Sequence, residues 1–259
     1  MVDIHCHILP GLDDGPDEIE MSVQMAEAAV ADGITHVVAT PHANDSFPFD
    51  PEVIKRRRDE LQERVGDRLQ LLTGCDFHLS YENLQAVHKE PSRFTLNQKT
   101  YLLVEFADFS IPPTMDTALK ELMMKGLRPI LTHPERNPIL VGNPSRVATW
   151  VRDGCYAQVT AGSLTGRFGK RAQQATEAWL DQGVVHFVAS DAHNLTSRPL
   201  QLQPAYAKVV ERKGEPVARA LFRENPMAAI EGESLPYVPD LDDEPLESPQ
   251  PRRKRFLFF

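Results

Sequence analysis

Asp3-Ile4-His5-Cys6-His7 and Ser190-Asp191-Ala192-His193 are the two stretches whose reading decides the fold. Each closes a short apolar run, and each offers two candidate metal ligands two residues apart. Side chains alternate along a strand with a period of two, so His5 and His7 point to the same side. Seven apolar runs of this kind lie at approximately 2–6, 34–40, 69–76, 101–106, 128–133, 155–160 and 184–190. Each ends within a few residues of a possible metal ligand or phosphate-handling residue. A β/α barrel carries all such strand ends to one mouth, where its active site sits. The pattern therefore predicts an α/β fold of the distorted (β/α)7 TIM-like barrel kind that acts as a multimetal hydrolase. A doubly wound open sheet is the alternative, because periodicity does not report closure.

Amphipathic helices fit between the runs. Ile19, Val23, Ala26 and Val30 recur at helical spacing, and Gly33 supplies a stop. Helical segments also fit 51–66, 80–90, 115–125, 144–153, 170–182 and 201–213. A last one over 215–230 ends near Asn225-Pro226 or at Gly232. Strand and helix alternate, which favours α/β over a sandwich or bundle.

At 259 residues the chain suits one large domain, expected over 1–233, with 234–259 read as a disordered tail. That tail is proline-rich and acidic, then closes on Arg252-Arg253-Lys254-Arg255-Phe256-Leu257-Phe258-Phe259. Such a basic-aromatic end is either a solvated terminus or a docking peptide for a partner or an anionic membrane surface. The net charge of −9 disfavours non-specific nucleic-acid binding. Three cysteines without regular spacing, Cys6, Cys75 and Cys155, point to a reducing cytoplasm. No apolar run is long enough to span a bilayer, and a first strand at about Val2 leaves no room for a signal peptide. Neither a Walker loop nor Gly-x-Gly-x-x-Gly occurs. No cysteine begins a Cys-x5-Arg loop, since Leu12, Tyr81 and Ala161 fall at the sixth position.

The remaining candidates follow the strand ends. Asp14, in Asp13-Asp14-Gly15, is a turn residue or a hard oxygen ligand; the context favours the ligand. His42 follows Thr40-Pro41, a stiffened loop that turns it toward the mouth. Asp76 closes Gly74-Cys75-Asp76 and has two oxygens with which to bridge metals. Glu105 ends the apolar Leu102-Leu103-Val104 run, where an unpaired carboxylate would be costly, so a metal or an ion-pair partner is expected. His133, in Thr132-His133-Pro134-Glu135-Arg136, is a ligand candidate, with Glu135 orienting its neighbours. Arg136 and Arg198 are candidate phosphate clamps through their forked donors, against a surface salt bridge for either. His36 and His186 read as core groups, and His78 and His88 as loop or helix positions, with substrate contact the alternative for His78.

Together these segments resemble the PHP (polymerase and histidinol phosphatase) superfamily. Within it they resemble the bacterial manganese-dependent protein-tyrosine phosphatases of capsule and exopolysaccharide operons. MVDIHCHILPGLDDGPD, ATPH, LLVEF, PILTHPERN, GSLTGRFGK at 162–170 and ASDAHN followed by Arg198 carry the resemblance, over roughly residues 1–232. It implies the PHP fold and three divalent ions. His5, His7, Asp76 and Asp191 would hold the first, Asp76, Glu105 and His133 the second, and Asp14, His42 and His193 the third. The resemblance favours Mn²⁺; imidazole and carboxylate donors also suit Fe, Co or Zn. Three such ions bring about +6 against about −4 from the carboxylates, so the pocket attracts a phosphate dianion in an acidic protein. The implied substrate is phosphotyrosine on a bacterial tyrosine kinase that controls polysaccharide synthesis. A small-molecule phosphatase of histidinol-phosphate type and a non-catalytic PHP module that binds metal or a protein partner are the alternatives. One departure stands out: Asp76 falls where the family pattern has Glu, which withdraws the carboxylate by about 1.5 Å.

Overall fold

The computed structural model describes residues 1–241. Its strands are β1 (Val2–Cys6), β2 (His36–Ala39), β3 (His42–Ala43), β4 (Gln70–Thr73), β5 (Asp76–His78), β6 (Tyr101–Glu105), β7 (Arg128–Thr132), β8 (Tyr156–Thr160) and β9 (Phe187–Ala189). They run parallel in the orders β1-β2-β4 and β3-β5-β6-β7-β8-β9. Nine strands make seven staves, because two staves are broken. Thr40-Pro41 interrupts the second, where Pro41 has no N–H to give the ladder. Gly74-Cys75 interrupts the third. The apolar run over 34–40 therefore marks only the first part of the second stave, and the run over 69–76 crosses the break and stops at the first residue of β5.

The seventh stave comes round to the first. Cys6 bridges to Ala192 in parallel register. His7 N donates to Ala192 O at 2.8 Å and Asp191 N to His5 O at 2.9 Å. The buried Asp3 carboxylate, through Oδ1, accepts from Ser190 N at 3.1 Å. These bonds tie together the two stretches that carry the paired ligands.

Period-two alternation divides the inner face into two zones. Tyr101 and Leu103 on β6, Ile130 on β7, and Phe187 and Ala189 on β9 join one apolar cluster. The next inward positions on those staves are Glu105, Thr132 and Asp191. Apolar packing thus fills the barrel toward the strand starts and gives way to polar groups at the strand ends. A larger apolar layer fills the space between strands and helices. Burying such continuous Val, Ile and Leu runs on both faces is what fixes parallel strands in place.

Helices occupy the expected segments: Ile19–Ala31, Pro51–Val65, Tyr81–Lys89, Thr114–Met124, Pro144–Arg152, Gly169–Asp181 and Gln203–Lys213. Two short ones, Pro138–Gly142 and Ala161–Leu164, were not foreseen. The first helix seats Ser22, Met25, Ala26 and Ala29, whereas Ile19, Val23 and Val30 are only partly buried. Its inward face is therefore rotated from the one the large apolar residues indicated. Asn225-Pro226 does not end the last helical stretch. A widened π turn over Ala220–Glu224 precedes it and Pro226 sits at the start of a continuing helix, Asn225–Glu231, which Gly232 then stops. The wide turn has no need of the N–H that Pro226 lacks. Residues 234–241, placed in the tail by sequence, lie against the barrel: Tyr237 N donates to Asn225 Oδ1 at 3.1 Å, and Leu241 packs on the core. The basic-aromatic end lies outside the described residues.

Two histidine assignments change. His36 starts β2 half-buried, with its Nδ1 2.9 Å from Thr35 Oγ1, and is not a core group. His78 ends β5 instead of lying in a loop or helix. His186 is buried as expected. Among the described residues no helix is long and apolar enough to cross a membrane. The three cysteines are buried and unpaired.

Candidate metal centre

The strand ends gather His5, His7, Asp14, His42, Asp76, Glu105, His133, Asp191 and His193 into four overlapping groups. Within each group, one nitrogen or oxygen per residue lies within 4.8 Å of the others. The groups are His7-Asp14-His42-His193, His5-His7-Asp76, His5-His133-Asp191 and His42-Asp76-Glu105. Their partition differs in part from the one the resemblance implies. His7 joins the Asp14 group, and His42 stands with Asp76 and Glu105. His133 sits with His5 and Asp191, although its Nε2 is also 3.6 Å from Glu105 Oε1. Asp76 belongs to two groups. Its Oδ2 lies 3.5 Å from His5 Nε2 and 3.2 Å from His42 Nδ1, so the shorter side chain still reaches both.

Local backbone features aim these groups. His133 and Asp191, just past the ends of β7 and β9, have φ of 33° and 52°. Left-handed conformations in non-glycine residues are strained, and surrounding structure must hold them. In the first loop, a Cβ on Gly15 would lie 2.4 Å from His7 O, so only glycine lets the Asp13-Asp14 turn fold onto the β1 end. Three histidines have their outer nitrogen engaged. His5 Nδ1 donates to Gln158 Oε1 at 3.0 Å, His7 Nδ1 to Asp13 Oδ2 at 2.6 Å, and His193 Nδ1 to Asp191 O at 3.0 Å. That leaves each Nε2 to face the cluster and fixes the tautomer a ligand requires. Asp13 also accepts from Gly15 N at 3.0 Å and His42 N at 3.1 Å, tying the first loop to the second stave.

Asp13 and Gln158 belong to the site although sequence reasoning passed over them, and His78, weighed there for substrate contact, joins them. His78 Nδ1 lies 3.9 Å from Glu105 Oε2 at the rim. Gln158 did carry a signal, being an amide between apolar Ala157 and Val159 in a buried strand. Glu135 fulfils its orienting expectation: its buried Oε1 accepts from Thr160 N at 2.9 Å and Ser163 Oγ at 2.7 Å. Both arginines reach the cluster, Arg136 Nη1 pairing with Asp191 Oδ2 and Arg198 Nη2 with the same oxygen at 2.5 Å. Arg198 is further held by its loop, where Asn194 Oδ1 accepts from the N–H groups of residues 196, 197 and 198.

The electrostatics are those of carboxylates in need of cations. Burial works against a charged His5, yet Asp76 and Asp191 push its pKa up to about 9. Burial likewise opposes a charged His42, but the close carboxylates of Asp14, Asp76 and Glu105 hold it far above the ordinary value. Burial and Asp76 both raise Glu105, but the nearby His42 and His78 imidazoles draw it down to about 2. His133, by contrast, falls to about 4 through burial and the nearby Arg136 charge. The carboxylates thus favour positive charge among them, which divalent ions would supply.

The donor set fits such ions. Asp76 Oδ2, Asp191 Oδ1, His42 Nδ1 and His193 Nε2 are buried without a hydrogen-bond partner, and all four belong to these groups. Buried polar atoms without partners are costly and uncommon. Imidazole nitrogens mixed with carboxylate oxygens are the donors that divalent transition ions favour.

A family model described as capsular polysaccharide synthesis, CpsB/CapC, matches residues 1–231. The chain belongs to this family. Tyrosine-protein phosphatase YwqE of Bacillus subtilis (strain 168) is 34% identical over 265 residues, covering 100% of both chains. Tyrosine-protein phosphatase CpsB of Streptococcus pneumoniae is 32% identical over 240 residues, 89% of this chain and 98% of that one. A solved structure from work on YwqE and CpsB, described as unique metal-dependent tyrosine phosphatases, superposes with a TM-score of 0.86 at 33% identity. It covers 94% of this chain and 100% of its own. An organophosphorus hydrolase superposes with a TM-score of 0.58 at 14% identity, over 88% of this chain and 92% of its own; that likeness is one of fold alone. The capsule-associated phosphatase family expected from the sequence is therefore the one matched, and the superposed structure from that family shares the α/β architecture.

Proposed function

We propose that this CpsB/CapC member is a metal-dependent protein-tyrosine phosphatase. The observation that carries the reading is the meeting of two arginines on Asp191, at the edge of a buried cluster of imidazoles and carboxylates with unpartnered atoms. The names of its relatives supply the substrate class. His5, His7, Asp14, His42, Asp76, Glu105, His133, Asp191 and His193 would hold three divalent ions, with manganese the first choice. Bound ions supply Lewis acidity to phosphoryl oxygens and acidify water to near-neutral pKa.

The chain's own residues do the rest. Gln158 and Asp13 keep His5 and His7 in the tautomer that presents Nε2. Arg136 and Arg198 stand partly exposed at the mouth, where their forks can grip equatorial phosphate oxygens and stabilise the charge that builds during in-line displacement. A phenolate leaves with a conjugate-acid pKa near 10, which makes a dedicated general acid dispensable for phosphotyrosine. A phosphoprotein substrate follows, and a bacterial tyrosine kinase is the partner this reading names. Three unpaired cysteines suit a cytoplasmic setting.

The test is metal analysis of the purified protein, coupled to turnover of a phosphotyrosine peptide and of histidinol phosphate. Chelation should abolish peptide turnover and Mn²⁺ should restore it. Preferential turnover of histidinol phosphate would move the substrate to the small-molecule class. Activity that survives complete metal removal would sink the reading.

A further inference from the structure

We propose that the loop over 160–169 is a clamp that positions both phosphate arginines, with Phe168 seating Arg136 and Arg167 bracing the loop of Arg198. The inference rests on the phosphatase reading for the role of the two arginines. Its geometry stands on separate residues, none of which is a candidate metal ligand.

The loop is fastened at its start beside Arg136. Glu135, the residue before that arginine, takes the N–H of Thr160 at 2.9 Å and the hydroxyl of Ser163 at 2.7 Å. The chain then returns so that the Phe168 ring lies against the Arg136 guanidinium, with Cζ 4.3 Å from the ring centroid. Space for the ring depends on Gly162, where an added Cβ would lie 2.7 Å from Phe168 Cε2. The neighbouring Arg167 turns the other way. Its Nη1 donates to Thr196 O at 3.0 Å and Ser197 O at 3.1 Å, the two carbonyls immediately before Arg198. Consecutive residues of one loop therefore support the two arginines that meet on Asp191.

Phe168 is not a core residue. It is half-buried and lines two cavities of about 180 and 270 Å³, one shared with Arg198 and the other with Arg136. The guanidinium is the charged group its ring faces. A flat aromatic face confines a flat guanidinium to one plane while leaving its N–H edge open. Arg136 would otherwise lose rotamer freedom when phosphate binds, so a ring that fixes it beforehand favours the bound geometry. Phe168 and Arg167 are on this account positioning residues, acting through Arg136 and Arg198.

Two readouts on the Mn²⁺-loaded full chain test the clamp: steady-state kinetics on p-nitrophenyl phosphate, and calorimetric affinity for inorganic phosphate. F168L keeps an apolar side chain but removes the ring face. It should raise KM and weaken phosphate binding about tenfold, the scale of a partly desolvated cation–π contact, with metal content and melting temperature unchanged. F168Y should restore both to within about twofold. In an R136A background F168L should add nothing, whereas R167A should still weaken phosphate binding through Arg198. R136Q repeats the cycle if R136A does not fold. Wild-type phosphate affinity in F168L, an undiminished F168L effect without Arg136, or no rescue by F168Y would overturn the clamp. A wild type that binds phosphate but hydrolyses no aryl phosphate would instead overturn the phosphatase reading, and the calorimetric arms would still decide the clamp.

Discussion

The two ends of the barrel differ in what their buried polar groups face: candidate metal ligands at the mouth, backbone groups at the floor. At the mouth, Asp76, Asp191, His42 and His193 each leave a buried atom without a hydrogen bond of good geometry. At the floor a network around Asn225 is closed, although Thr100 Oγ1 and Gln182 Oε1 are also without partners. Asn225 Nδ2 donates to His186 O at 2.9 Å and to Tyr237 O at 2.7 Å, and Asn97 Nδ2 donates to Ile230 O at 2.9 Å. Arg128 and the Tyr101 hydroxyl both donate to Glu233 O. Closed networks stabilise a fold, whereas open ones lower its stability unless a ligand completes them. Residues at strand C-termini should therefore govern chemistry, and those at strand N-termini should govern folding.

Removing Arg136 is the strongest way to sharpen that contrast. Arg198 also pairs with Asp191 Oδ2, so Arg136→Ala leaves the carboxylate with a partner. The variant should keep its fold and its metal. It should lose about 10²- to 10³-fold in kcat/KM on an aryl phosphate, the scale of losing one oxyanion-stabilising donor. A melting temperature that falls along with activity would mean that Arg136 is a structural ion pair after all.

Asn225→Ala probes the opposite end. The side chain is fully buried and serves three backbone groups, including Tyr237 N. Truncation leaves those groups unsatisfied and should cost about 3 kcal/mol, or roughly 5–10 °C in melting temperature for a chain of this size. Activity per folded molecule and metal stoichiometry should not change. A loss of metal in the purified folded variant would show that floor and mouth are mechanically coupled, and the contrast would fail.

The same contrast explains what could be read from the sequence. The staves were legible because strands buried on both faces read as unbroken apolar runs. Their ends were legible because ligand residues are polar where the run stops. The breaks at Thr40-Pro41 and Gly74-Cys75 were not, since an apolar run looks the same whether or not its hydrogen-bond ladder is continuous. Asp13 and Asp14 are adjacent acids in one turn, and only the fold reveals that Asp13 turns inward to His7 while Asp14 stands at the rim. The floor network was invisible for a related reason: Asn225 and Tyr237 are neighbours only once the last helix has docked. Sequence position marked where chemistry gathers, but the pairing that supports it depends on packing.

His186 offers a finer test, because the floor contains a titratable group with no ionised partner near it. The ring is buried, takes the N–H of Ala157 at 3.3 Å and meets Tyr156 edge-on. Burial lowers its pKa from 6.5 to about 4. The unfolded chain therefore binds the proton first as pH falls, so the contribution of His186 is intact above pH 6.5 and is lost on going down toward pH 4. Between about pH 6 and 4.5 the loss amounts to about 2 kcal/mol by linkage. Acids and imidazoles at the mouth titrate in the same range, so the informative quantity is a difference in slope. Chemical denaturation of chelated wild type and His186→Gln across this window should give a shallower acid decline for the variant, whatever its stability at neutral pH. Parallel slopes would mean that the floor admits water and a proton at His186, and that its polar groups are less sealed than their hydrogen bonds imply.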